Sequence, residues 1–298
     1  MIFEFPVIFH SHGVPLMGRF VRNSASLHER QPGVIVTGSW LTVKEQMPIL
    51  YARRLAEIGY TAFVFDFAGF GESQGEPRQT EIPARKIADI LAAVEFVQTY
   101  SFVDADRVGS LAVCASAQYT LAALGRGAPI RSFVSVAGWY HDPISVAPFY
   151  GDDAGVALRV DRARAAMDRY VRTGELTMVP AYKDGDDRAG MFFRLDYYGL
   201  AERGAVPAWK NEMSEMTWLY WFAYDGTSAA PRVTTPSLFV HADGCVFPDH
   251  VRQIHAQLKG PKELVWSEGN QIDFYDQPKQ VDAAMSAATD WFARTLRA

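Results

Sequence analysis

The amino-acid sequence predicts an α/β protein: a mostly parallel sheet flanked by helices, interrupted by one long helical insertion. Three observations predict it. Short apolar runs alternate with stretches of helical periodicity, the pattern of strand-helix-strand units. Between about residues 139 and 230 that alternation stops, and Trp, Tyr, Phe and Met crowd the text. The chain has 298 residues, 49% of them hydrophobic, enough for one large core plus an insertion.

The elements follow in order. "FEFPVIFHSHGVPLMGRFVR" reads as two antiparallel strands joined by a turn at His12 and Gly13. "GVIVTG" (33–38) is a short apolar run ended by Gly, and "TAFVFDF" (61–67) is a second such strand. Between them, "EQMPILYARRLAEIG" (45–59) has helical spacing and stops at Gly59. "IPARKIADILAAVEFVQTY" (82–100) is helical, "RVGSLAV" (107–113) is a strand, 115–124 is a helix, and "IRSFVSVAG" (130–138) is a strand. After the insertion come a strand at 237–241, a helix at about 248–258, a strand at 263–266 and a last helix from about 279 to 297. The core is thus expected over 1–138 and 231–298, with a helical lid over 139–230 covering the sheet's carboxyl edge, where such sheets bind ligands.

Composition excludes several classes. A formal net charge of −5 argues against nucleic acid or an anionic membrane as the partner and leaves a small molecule as the expected one. Two cysteines cannot build a disulfide framework, which points to a reducing, cytoplasmic compartment. The apolar N-terminus lacks a basic leader region and is interrupted by Glu4, so it reads as a strand. No phosphate loop of the G-x-x-x-x-G-K type and no Cys/His cluster occurs, so no cofactor and no metal is expected.

Four segments carry a resemblance. They are "TGSWLTVKEQM" (37–47) after a strand, "FDFAGFGESQGEPR" (65–78) with its D-x-x-G-x-G-x-S turn, "AVCAS" (112–116), and "HADGCVFPDH" (241–250) followed by "GNQIDFYD" (269–276). In this order and spacing the chain resembles the α/β-hydrolase fold, in particular its dienelactone-hydrolase-like branch of small esterases and acyl hydrolases. The resemblance implies an oxyanion loop at 37–47, a nucleophile elbow at 112–116, and an acid and a histidine in the last two segments. Relatives of this type often form homodimers, and the resemblance extends that expectation here.

The elbow departs from the usual G-x-S-x-G. Cys114 replaces serine, and Ala112 and Ser116 replace the glycines. A thiol at a helix N-terminus is expected to lose its proton more readily. The resemblance makes Cys114 the nucleophile, with oxyanion donors from Ala115 and from Trp40 or Leu41, Trp40 preferred. At the histidine position stands Gln271, whose amide cannot take a proton near neutral pH. His141, after the strand that follows the elbow, is the substitute base; the alternative is a loop histidine paired with Asp142. Asp243 is the first choice for the acid, Asp249 the second, and Cys245 fills the position where many relatives carry Asp. Leu41, Trp139, Tyr140 and Trp221 are the expected substrate contacts. Lys44, Glu45 and Gln46 are expected to fix the oxyanion loop against the Asp66–Ser73 turn. Hydrolysis lacks a base in this reading, so lyase, cyclase or acyl-transfer chemistry on an ester, thioester or lactone is favoured. The competing class is a binding or regulatory protein that keeps the pocket without catalysis.

Overall fold

The computed structural model describes residues 1–296. Eight strands form one sheet in the order β1 (Ile2–Ser11), β2 (Val14–Asn23), β4 (Thr61–Phe65), β3 (Gln31–Thr37), β5 (Val103–Val113), β6 (Ser132–Val136), β9 (Ser237–Gly244), β10 (Lys262–Asn270). The β1–β2 and β2–β4 pairs are antiparallel, and the remaining pairs are parallel. β3, β4 and β6 are buried along their whole length, which is why they read as unbroken apolar runs and not as alternating ones.

Helices α1 (Met47–Glu57), α2 (Pro83–Gln98), α3 (Ser116–Gly125), α7 (Pro248–Gln257) and α9 (Pro278–Thr295) connect or cover these strands. Four of the five, all but α3, begin with a proline in their first turn, where the missing N–H costs nothing. Gly109 lets the C-terminal helix settle on β5. A Cβ there would meet Leu296 at 2.7 Å and Phe292 at 3.2 Å.

The chain between β6 and β9 contains one substantial helix, α4 (Asp152–Thr173), and the short turns α5 (Asp196–Gly199) and α6 (Thr217–Trp221). A small antiparallel pair, β7 (Met178–Val179) with β8 (Met213–Ser214), also forms there. The expected helical lid over 139–230 therefore holds only one long helix, and a short strand pair stands beside it. Pro180, Gly185 and Gly190 interrupt any long helix after α4, and side-chain bonds take over. Arg159, for example, donates to the carbonyls of Tyr150 and Asp187. A final short turn, α8 (Asp273–Asp276), follows β10. Residues that follow β3, β5, β6, β9 and β10 line one pocket together with residues of the insertion.

Candidate active site

The turn after β5 places Cys114 at φ +59°, left-handed backbone that a non-glycine residue adopts at a cost of roughly 1–3 kcal/mol. Neighbouring bonds enforce it. The Cys114 amide donates to the Val136 carbonyl at 3.1 Å, and the Cys114 carbonyl accepts from Ala117 and Trp139, each at 3.0 Å. Ser116 donates its amide to the Gly38 carbonyl at 3.3 Å, tying the elbow to the loop after β3.

The thiol is surrounded by the backbone amides of Ala115 and Trp40 and by the hydroxyls of Ser39 and Tyr275. Burial pushes its pKa up, and those four donors only partly oppose the rise. The expected thiolate is thus reversed: with the side chain shut away from water, desolvation outweighs the helix N-terminus. Ser39, Tyr198 and Tyr275 form a chain of hydroxyls, with Tyr198 Oη donating to Ser39 Oγ at 3.0 Å and Ser39 and Tyr275 3.2 Å apart.

The loop after β3 is gripped from three sides. The Lys44 amide and ammonium both donate to the Asp66 carboxylate, at 2.8 and 2.7 Å. Gly71, at φ +49°, lies so close to that carboxylate that a Cβ would sit 2.3 Å from Oδ2. Ser73 Oγ donates to the Asp66 carbonyl at 2.5 Å, so this turn is structural. Gln46 accepts from the Val43 amide and donates to the Gly204 carbonyl of the insertion at 2.6 Å. Leu41, at φ +58°, directs its amide to buried Glu81 at 3.4 Å, and its carbonyl accepts from Trp209 Nε1 at 2.8 Å. Leu41, expected as a substrate contact and as the alternative oxyanion donor, thus has both its amide and its carbonyl committed, and it is not among the pocket's lining residues. Trp40 is the residue whose amide meets the sulfur.

Gln271 occupies the pocket wall beside Cys114. Its Nε2 donates to the Ala137 carbonyl at 2.7 Å and to Tyr275 Oη at 3.3 Å, while its Oε1 accepts from the Val246 amide at 3.2 Å. Among the described residues, no carboxylate is hydrogen-bonded to it. Asp243 does not fit the acid role. Its side chain is 75% exposed and pairs with Arg252 at 2.6 Å, and that guanidinium lies 4.0 Å over the Trp266 ring. Asp249 is held by the same arginine at 2.9 Å. Cys245 is buried, and burial pushes its pKa up to about 12.

His141 does not fit the base role either. Its Nδ1 accepts from Trp139 Nε1 at 2.8 Å, and its Nε2 faces the Trp221 carbonyl at 2.9 Å, which requires the proton on Nε2. Burial lowers its pKa to about 4, against the pull of the Trp221 carbonyl. It is not paired with Asp142, whose side chain caps Ile144 and Ser145. Tyr140 also falls outside the pocket wall, its hydroxyl donating to Ser135 behind β6.

The pocket is a narrow cavity of about 70 Å³ between walls that include Ser39, Cys114, Trp139, Tyr198, Trp221 and Gln271. None of its lining residues is charged. Of the expected substrate contacts, Trp139 and Trp221 line this pocket, as does Trp40, which was expected as an oxyanion donor. Ser39, Tyr150, Met191 and Tyr275 were not anticipated. Two had a usable signal: Ser39 precedes Trp40, and Tyr275 follows Gln271 by one helical turn.

The sheet order, the strained elbow after β5 and the amides that meet over it define a protein of the α/β-hydrolase fold. Comparison with known proteins agrees. No family model matches the chain. It is 27% identical over 271 residues to the uncharacterized protein YcjY of Escherichia coli, covering 85% of each chain. It is 23% identical over 277 residues to the polyketide transferase claH of Penicillium crustosum, covering 86% of each. The crystal structure of the α/β hydrolase GrgF from Penicillium sp. sh18 superimposes with a TM-score of 0.84 at 19% identity, over 99% of both chains. Matched relatives also include proteins named as an acyltransferase and a thiohydrolase. Among the described residues, no helix is long and apolar enough to cross a membrane.

Proposed function

We propose that the chain is an acyl-transferring enzyme that takes an acyl group from a thioester or activated ester onto Cys114 and hands it to an amine. The observation that carries this reading is the meeting of the Trp40 and Ala115 amides at the Cys114 sulfur. Two backbone donors at one nucleophile are suited to a tetrahedral oxyanion, a contribution typically worth about 10²–10³-fold per donor.

The surroundings favour transfer over hydrolysis. Gln271 cannot accept a proton, His141 has both nitrogens engaged, and Asp243 faces solvent. Water would need a base to attack the acyl-enzyme. Exchange with a thioester leaves no net proton to be taken up, because the departing sulfur receives the one that Cys114 gives up. The Cys114 sulfur bonds to the acyl carbon, the donor C–S bond breaks, and the thiol proton passes to the leaving sulfur. An amine acceptor then attacks the same carbon, the bond to Cys114 breaks, and the acceptor's proton restores the thiol. Asp243 and His141 take no part in this scheme. The names polyketide transferase and acyltransferase among the relatives support the same reaction class.

One observation favours a second reading, a ligand-binding protein without turnover: the thiol is held protonated by burial. Incubation with acetyl-N-acetylcysteamine and intact-mass spectrometry separates the two. An acetyl adduct on Cys114 that discharges faster to a primary amine than to water supports transfer. Neither adduct nor turnover, with the thioester still bound, supports the binding protein.

A further inference from the structure

His141 was expected to act on Cys114. Its contacts lead elsewhere. The imidazole joins two indoles that line the pocket, accepting from Trp139 Nε1 at 2.8 Å and facing the Trp221 carbonyl at 2.9 Å. It also packs against the Trp221 ring at 4.3 Å between centroids. Its own backbone is anchored, since its carbonyl accepts from the Gly226 amide at 2.8 Å. The rings then continue in a row. Trp139 lies 5.6 Å from Trp221, and Trp221 lies 4.7 Å from Trp40 with only 30° between their planes.

Three indoles packed in a row, their planes tilted by 42° and 30° from one to the next, make an extended, rigid aromatic wall. Tyr150, Phe193, Tyr198 and Tyr275 add further rings, and no charged side chain lines the pocket. A charged ligand group would lose its hydration there without a counter-ion, which is costly. A flat unsaturated group gains offset or edge contacts with fixed rings, beyond what its area alone supplies. Fixing the rings in advance removes the entropy cost of ordering them around the ligand.

We propose that His141 is a positioning residue for substrate selection: by holding Trp139 and Trp221 it shapes a pocket for a neutral, planar, unsaturated or aromatic acyl group. This rests on the acyl-transfer reading for the word acyl. The wall itself is independent of any chemistry at Cys114.

The test separates the two. Binding is measured on Cys114→Ala by indole fluorescence and calorimetry, with N-propyl amides of benzoic, hexa-2,4-dienoic, hexanoic and succinic acids as non-reacting probes. The benzoyl and dienoyl amides bind about 3- to 10-fold more tightly than the hexanoyl amide, the range expected of aromatic contacts. The succinyl amide, with its free carboxylate, binds weakest. Trp139→Leu abolishes the planar preference but leaves hexanoyl binding. His141→Ala has the same effect, whereas His141→Gln, whose amide can both accept from Trp139 and donate to the Trp221 carbonyl, restores it. In the reactive enzyme the corresponding thioesters show these changes in KM, with kcat retained.

Equal affinity for dienoyl and hexanoyl amides overturns the proposal, as does preference for the succinyl amide. If His141→Ala does not fold, Trp139→Leu and His141→Gln carry the test, and an unchanged preference in Trp139→Leu overturns it. Ordered amide affinities without acylation of Cys114 leave the pocket assignment standing and remove only the transferase reading.

Discussion

The Val246 amide donates to Oε1 of Gln271 at 3.2 Å, so a backbone N–H stands where a histidine would need an acidic partner. This changes what a restored histidine can do. Gln271→His alone places an imidazole by Cys114 with nothing to accept its second proton, and hydrolysis of p-nitrophenyl acetate should rise only a few-fold. Cys245, the residue before Val246, is buried close by. Gln271→His with Cys245→Asp supplies both members, and the rate should rise about 10²-fold or more over wild type, the lower range of general-base assistance. Equal rates for the single and double variants would show that residue 245 does not face the ring.

The two thiols should titrate high and separately. Burial raises both, Cys245 to about 12. Iodoacetamide labelling of native protein should therefore climb with pH beyond 9, with Cys114 modified first because it lines the pocket. Peptide mass spectrometry across pH 6–10 reads this directly. A Cys114 midpoint below the ordinary thiol value of about 8.5 would contradict the desolvation argument.

Acid should destabilise the fold before its carboxylates matter. His141 and His241 both fall to about 4, chiefly through burial. Asp142 and Asp225 pull His141 up and His250 pushes it down, while Arg252 and Asp243 act in opposite senses on His241. Both folded pKa values lie below the unfolded ones, so the unfolded chain binds the extra protons. Stability is whole above pH 6.5 and falls as pH drops through 4, by up to about 3 kcal/mol for each histidine. Urea midpoints measured from pH 7 to 4 should show the decline, and His141→Gln should show a shallower one.

Trp209→Phe should weaken catalysis without removing any group from the reacting centre. It strips the donor from the Leu41 carbonyl and leaves that buried oxygen unsatisfied, at about 1–3 kcal/mol. The oxyanion loop loosens, and kcat should fall roughly tenfold with a smaller change in KM. A variant with a lowered melting temperature and unchanged kcat would mean that the bond serves only stability.

Lys44→Met should be among the most damaging single changes outside the pocket. It leaves the fully enclosed Asp66 carboxylate without its cation, a change worth about 3–5 kcal/mol. Thermal melts should show it, and Lys44→Met with Asp66→Leu should recover part of the loss.

What was legible in the sequence was what depends on neighbours in the chain. Strand-helix alternation is such a local pattern, and it holds in the structure; the elbow around Cys114 is read from the same kind of short-range text. The departures are non-local. His141 is committed to a carbonyl 80 residues away at Trp221, which no motif discloses. Asp243 is turned outward by Arg252, itself laid over Trp266 from the next strand. The protonation of Cys114 depends on how completely the insertion encloses it, and spacing cannot report enclosure. The insertion resisted reading because its order rests on bonds such as Trp209 to Leu41 and Arg159 to Tyr150, not on periodicity.

The bonds from Gln46 to Gly204, Tyr198 to Ser39 and Trp209 to Leu41 have a consequence for protein engineering. All three run from residues 39–46 into the chain between β6 and β9. A chimera that borrows a homologue's insertion but keeps this loop would inherit mismatched seams on both sides of the Trp40 amide. Selectivity on this scaffold therefore travels as a two-part cassette, 39–46 together with the insertion, and a graft of either part alone should give a folded but idle protein.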